Sequence, residues 1–376
     1  MTDPEKLLCE LIALPSVNPA FLPACDRRAG EGRVADFLAA TAAQAGLDID
    51  LQEVQPGRSN LLATLRPVGK IRHRLLLAPH LDTVPATNDG QYVPVLATTR
   101  IYGRGACDTK GSVAAMFTAL CQLAKSGPRP AQTEIIFAGL VDEEHGQIGS
   151  RALAASGCKA DLAIVGEPTL LRVVTAHKGT LWLDLSTRGK SAHGARPDLG
   201  RNAVHEMAQA VCLLENDYAR RLRHRRHPML GHATINVGVM TGGTQANIVP
   251  DACRAVVDRR TLPGETEKTV RAEMTALFRS RNLRVKIDNE KLAACLPMET
   301  DPRLPWVRQF LRVAGQKKAV GVDYFCDASV LARAGIPSVV FGPGDIAQAH
   351  TADEWIGRKS LAVATALLEN FLRSLP

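Results

Sequence analysis

The apolar positions of this chain change period along its length, and the changes mark out its elements. Residues 4–15 and 32–46 repeat apolar side chains at helical spacing, with a Pro- and Gly-containing loop from Pro15 to Gly32 between them. Strand-like runs follow at 60–66 and 74–79, the second of which stops abruptly at His80. From Lys110, GSVAAMFTALCQLAKSG predicts a buried helix ended by Gly127-Pro128. The apolar run EIIFAGLV (134–141) then leads into Asp142-Glu143-Glu144, a helix near 149–156 follows, and LAIVGEP (162–168) ends in another carboxylate. Strands that alternate with helices and each end in polar residues predict an open α/β sheet with a site at its carboxyl edge.

After Gly179 the period becomes two in LWLDLSTRG, then helical over about 201–217. ATINVGVM and CRAVVDRR read as paired strands, TEKTVRAEMTALFRS as a helix and LRVKID as a last strand. This β-α-β-β-α-β order predicts a ferredoxin-like α+β domain inserted over 178–289. The α/β signals resume with the helical WVRQFLRVAG, a loop around Asp323 to Asp327, the strand IPSVVFG and an apolar carboxyl-terminal helix, so 1–177 and 290–376 form one domain around the insertion. A chain of 376 residues is long for one core, in keeping with two domains. No internal repeat or low-complexity segment is visible.

Composition changes this picture little. With 45% hydrophobic and 22% charged residues the chain is globular rather than disordered or fibrous. No run approaches the roughly 18 apolar residues of a membrane span, and MTDPEKLLCE places acidic residues where a signal peptide carries basic ones, so a cytoplasmic protein without a membrane partner is expected. The nine cysteines form no CxxC pair, which favours reduced thiols over a zinc ribbon or disulfide framework. The net charge of +8 raises nucleic-acid binding, yet much of it is local: ARRLRHRRHP (219–228) holds five arginines. That cluster reads as a solvated helix end and loop, or as a patch attracting anions. Aromatic residues total only 4% and no nucleic-acid motif accompanies it, so no nucleic-acid partner is expected.

The chemistry gathers at the strand ends: His80, Asp82, Asp108, Glu143, Glu144, Glu167 and, after IPSVVFGPG, His350. His80 and Asp82 are two residues apart on extended chain and point the same way, so the carboxylate can hold one imidazole nitrogen while the other binds a metal. Each residue also has a plain structural reading. Asp108 before a helix can be an N-cap, Glu143 and Glu144 a solvated helix start, Glu167 before Pro168 a turn residue, and His350 an ordinary loop histidine. Neighbouring Glu143 and Glu144 diverge, which leaves one free as a base if the other binds metal. Mixed imidazole and carboxylate ligands suit zinc or cobalt.

Six segments, HLDTVP, GRGACDTKG, DEEHGQIGS, IVGEPT, GKSAHGARPDLGRNAV and GPGDIAQAHTADEW, occur in the order found in the M20 family of dinuclear zinc hydrolases, which the chain resembles from about residue 75 to 356. VTAHKGTLW, DRRTLPGE and the last of the six are most similar to the acetylornithine deacetylase and succinyl-diaminopimelate desuccinylase branch, and within it to acetylornithine deacetylases.

The resemblance implies a mixed-sheet catalytic domain with an inserted lid and dimerisation domain, a homodimer, and two zinc ions per chain, with cobalt as the alternative. His80 and Glu167 would hold one metal, Glu144 and His350 the other, and Asp108 would bridge them. Asp82 would orient His80, and Glu143 would be the general base. His193 would donate to the developing oxyanion, reaching the partner's site in dimeric members; read alone it is a Gly-rich turn residue. Asn247 and Arg260 would bind substrate, Arg260 as a clamp for a carboxylate. Because Arg259 faces the other way on the same strand, only one of the two arginines serves. Gly342 and Gly344 would lie beside the substrate, an N-acyl amino acid, best N-acetylornithine. A desuccinylase and a metallocarboxypeptidase or dipeptidase share the same metal residues, and a non-catalytic amino-acid-binding protein on this scaffold would have lost a ligand or the base. Pro79 departs from the Gly common in relatives, harmlessly at a strand end. Cys107 and Cys326, beside Asp108 and Asp327, read as packing.

Overall fold

The computed structural model describes residues 3–23, 25–290 and 294–376 and divides into two compact units. One comprises Met1–Thr175, Thr300–Val320 and Cys326–Pro376; the other comprises Ala176–Glu299 with Gly321–Phe325. Among the described residues the second unit thus takes in 176–177, 290, 294–299 and 321–325, outside the 178–289 expected from the pattern.

The first unit is built on a mixed sheet ordered Asp48–Gln55, Arg58–Leu65, Thr133–Gly139, His73–Pro79, Leu162–Gly166 and Ser338–Val340. The last four strands run parallel, while the first two add an antiparallel edge. Parallel strands covered on both faces read as unbroken apolar runs, and Leu75, Leu76, Leu77 and Ala78 are accordingly all fully buried. The helix Lys110–Lys125 is buried nearly all round because its sequence has almost no polar stripe, and it packs with Pro4–Ile12 and Arg358–Arg373 over one side of the core. Asp3 caps Pro4–Ile12 by accepting from the Glu5 amide, with Pro4 at the first helical position. Asp48–Gln55 is a strand that the hydropathy pattern does not announce: it is an edge strand with Ile49 and Leu51 exposed.

In the second unit an antiparallel sheet is ordered Thr234–Gly242, Ala252–Thr261, Gly179–Arg188, Lys286–Asn289, the ferredoxin-like order. Leu181, Leu183 and Leu185 of the alternating strand face the helices Ala203–Leu213 and Glu267–Arg279 in a separate apolar core, and Trp182 points away from it. Ala203–Leu213 continues through a wider turn at Leu214–Tyr218 into Ala219–Arg223, so part of the arginine cluster is helical. No helix among the described residues is long and apolar enough to cross a membrane.

Candidate metal centre

The parallel strands of the first unit end along one edge, and each delivers polar side chains there. His80 follows His73–Pro79, Asp142-Glu143-Glu144 come soon after Thr133–Gly139, and Glu167 follows Leu162–Gly166. Asp108 comes from the loop before Lys110–Lys125, and His350 from the loop after the short helical turn Ile346–Gln348.

Asp108 occupies the centre of this group. Its Oδ1 lies 3.1 Å from His80 Nε2 and its Oδ2 lies 3.3 Å from His350 Nε2. Glu144 Oε2 is 3.2 Å from His350 Nε2, and Glu167 Oε1 is 3.8 Å from His80 Nε2. The second nitrogen of His80 faces Asp82, at 3.0 Å from its backbone oxygen and 3.4 Å from its carboxylate. Asp82 in turn accepts from the amides of Glu143 and Glu144, at 3.0 and 3.1 Å, so one buried carboxylate fixes both an imidazole and the loop that carries the two glutamates.

The electrostatics of this edge are those of crowded carboxylates. Burial pushes the Glu143 and Glu167 carboxyls well above their usual range, and each is raised further by neighbouring acids. Glu144 is raised by burial and by Asp108. Asp108 moves the other way despite its burial, because two imidazoles bond it. Hydrogen bonds to Asp108 and Glu144 hold the His350 imidazole up at about 10. For His80, burial opposes the charge, but Asp108, Asp82 and Glu167 outweigh it and raise its pKa well above the ordinary value.

These residues fit a divalent cation. His80, Asp108 and Glu144 each offer one atom within 4.8 Å of the others, and the buried Oε1 of Glu167 makes no hydrogen bond. A positive ion relieves the like-charge crowding that otherwise keeps protons on these acids.

Three groups around the centre were not singled out from the sequence. Asp327 is buried, pushed up to about 7 mainly by that burial, bonded through one oxygen to Ser150 Oγ at 2.6 Å and without a hydrogen-bond partner among the described residues at the other. Asn18 donates to both Asp82 Oδ2 (2.8 Å) and Asp142 Oδ1 (3.0 Å), while Arg58 joins Asp142 to the buried Glu31. Glu354, four residues past His350, accepts from the Asp108 amide at 2.9 Å. Only Glu354 has a sequence signal, its place close after the candidate ligand His350; Asn18 and Asp327 stand near none. Cys107 donates to the Asp345 oxygen, and Cys326 is buried, its thiol pushed up by that burial and by the nearby charge of Glu167.

Gly342 and Gly344 have steric reasons to be glycine. A Cβ on Gly342 would meet Ser112 Oγ at 2.2 Å and the Glu167 oxygen at 2.5 Å. Gly344 has φ +89°, and a Cβ there would meet Cys107 Sγ at 2.6 Å.

The remaining candidates belong to the second unit. His193 pairs with Ile248, and the Gly194 amide donates to the Asn247 oxygen at 2.7 Å, so the two loops carrying His193 and Asn247 run side by side. Arg259 is fully buried against Glu265, whereas Arg260, on the opposite face, is part-exposed and pairs with Asp258 at 3.0 Å.

The chain is similar to known proteins in sequence and in fold. The chain is 31% identical to the acetylornithine deacetylase of Myxococcus xanthus over 352 residues, 89% of each chain. It is 30% identical to that of Edwardsiella ictaluri over 376 residues, covering 96% of this chain and 95% of the relative. Among solved structures, a tripeptidase from Staphylococcus aureus superposes with a TM-score of 0.78 at 21% identity, covering 99% of this chain and 98% of that one. An M20 family metallo-carboxypeptidase from Sulfolobus solfataricus gives 0.75 at 18% identity, covering 99% of each. The model of peptidase family M20/M25/M40 matches residues 76–374, a span that holds every strand end at the centre, and the chain therefore belongs to that family and is a metal-dependent amidohydrolase.

Proposed function

We propose that the protein is a dinuclear zinc deacylase that removes the acyl group from an N-acyl amino acid, with N-acetylornithine as the leading substrate. The observation that carries this reading is the Asp108 carboxylate, which offers a separate oxygen to each of two imidazoles and so has the form of a bridge between two ions. His80 and Glu167 would hold the first ion, Glu144 and His350 the second. The ions, zinc or cobalt, would supply polarisation of the amide carbonyl and acidification of water.

The chain's own residues then divide the remaining work. Asp82 holds His80 by its second nitrogen and keeps its ligating nitrogen aimed at the centre. Glu143 takes the proton from water as it attacks the carbonyl, then passes it to the departing amine; burial and the nearby acids, which raise its pKa, suit it to both halves of that transfer. His193 donates to the oxyanion, Asn247 and Arg260 bind the amino-acid portion, and the narrow Gly342-Pro343-Gly344 turn lies along it. The second unit serves as lid and dimerisation domain of a homodimer. The acetylornithine deacetylase relatives support the acyl-amino-acid substrate. The peptidases among the solved structures support a second reading, hydrolysis of short peptides.

A panel of N-acetyl, N-succinyl, N-carbamoyl and dipeptide substrates, offered to zinc-loaded protein, decides between them. N-acetylornithine is expected to give the highest kcat/KM. A dipeptide turned over faster would shift the assignment to peptidase, and no turnover at all would remove the enzymatic reading.

A further inference from the structure

Glu354 is almost wholly buried, yet its carboxylate has no room left for metal or substrate. Its Oε1 accepts from the amides of Cys107 (2.8 Å) and Asp108 (2.9 Å), and its Oε2 accepts from the amide of Gly105 (2.9 Å) and from Arg104 Nη1 (2.6 Å). Four donors on two oxygens saturate the group. The same contact is extended on both sides. The Gly103 amide donates to the Glu354 backbone oxygen at 3.0 Å, and Arg104 Nη2 and Gln91 Nε2 each donate to the Thr351 oxygen at 3.2 Å.

A buried ion pair is costly to desolvate, and an apolar pair of the same volume often packs as well, so its presence calls for a task other than stability. Its placement supplies one. All four donors belong to the loop that ends in Asp108, and the acceptor sits in the segment that begins with His350, about 250 residues away in sequence. We propose that Glu354 is a positioning residue for the metal centre: by gripping the Asp108 loop, it fixes Asp108 and His350 relative to each other before any ion arrives. This rests on the reading of Asp108 and His350 as ligands. A carboxylate alone does this well, because an amide side chain would turn a donor toward donors and leave the Arg104 charge unmatched.

The test uses the full chain in three forms: wild type, Glu354→Asp, which keeps the charge but is one methylene short, and the double variant Arg104→Met with Glu354→Gln, which removes both buried charges. Three readouts are taken: melting temperature of the metal-free protein, amide exchange at Cys107 and Asp108 without metal, and zinc affinity by competition with a chromophoric chelator. Both variants are expected to exchange those amides at least about tenfold faster and to bind zinc about 10- to 100-fold more weakly, the range seen when groups behind a metal ligand are removed. The fall in affinity should exceed anything tracking the melting temperature, and kcat should drop with KM little changed. Wild-type zinc affinity in both variants overturns the proposal. So does a loss of affinity that merely follows loss of stability, including failure of both variants to fold. Wild-type protein that takes up no zinc overturns the metal assignment of Asp108 and His350 instead.

Discussion

Glu143 and Glu144 are adjacent, and their amides share one acceptor in Asp82, but their carboxylates have different surroundings. Glu144 is bonded to His350, whereas Glu143 faces the negative charges of Glu167, Asp327 and Glu144. Replacing Glu143 with glutamine keeps the shape and removes the proton carrier. Glu143→Gln is expected to retain about two zinc ions per chain by elemental analysis while kcat falls by about 10²- to 10⁴-fold; a variant that kept wild-type turnover would take the base away from Glu143. At this scale the sequence is informative where a side chain does its work from a strand end beside a recognisable motif, as with His80 and Asp108. It is silent on Asn18, Glu31 and Arg58, whose partners stand far away in sequence and whose local context is an ordinary loop, helix start and strand start. Glu354 lay in plain view in HTADEW, but nothing local distinguishes a carboxylate that grips amides from one that faces water.

Strands and helices were legible wherever they bury a periodic face. Lys110–Lys125, the four parallel strands and the whole β-α-β-β-α-β series follow from hydropathy period. Asp48–Gln55 does not, because its alternation of Ile49 and Leu51 with acidic residues is short and breaks before Val54, and most of its side chains face solvent. The loops between elements are held by polar contacts, and the one before the glutamates is tied through Asp142. Asp142 has φ 70° and lies between Arg58 and Asn18. Asn18 supplies the N–H groups that separate Asp82 from Asp142, so Asn18→Ala should cost about 1–3 kcal/mol in urea unfolding of the metal-free protein. Asn18→Asp, which sets a third carboxylate against two, should cost more at pH 8. If the aspartate variant proved as stable as wild type, Asn18 would not be the spacer of that loop.

The whole molecule has two apolar cores with no residue in common, and every candidate ligand falls in the first unit. A metal held by these residues would therefore stabilise one unit only. Calorimetry with and without a chelator is expected to lower the transition of the first unit, by about 4 kcal/mol where free zinc had stood a thousandfold above its dissociation constant, and to leave the second unchanged. Equal shifts in both, or none, would contradict that division. The sequence announced the insertion through its change of period, but it could not show how the first unit closes around the gap. Thr175 and Thr300 meet there, the Thr300 amide donating to the Thr175 oxygen at 2.8 Å, so the chain departs and returns at one point of the same sheet. An excursion of that kind is topologically a side branch. Its length and sequence can drift without displacing the trunk, so the strand ends that carry the candidate ligands keep their places however the branch changes.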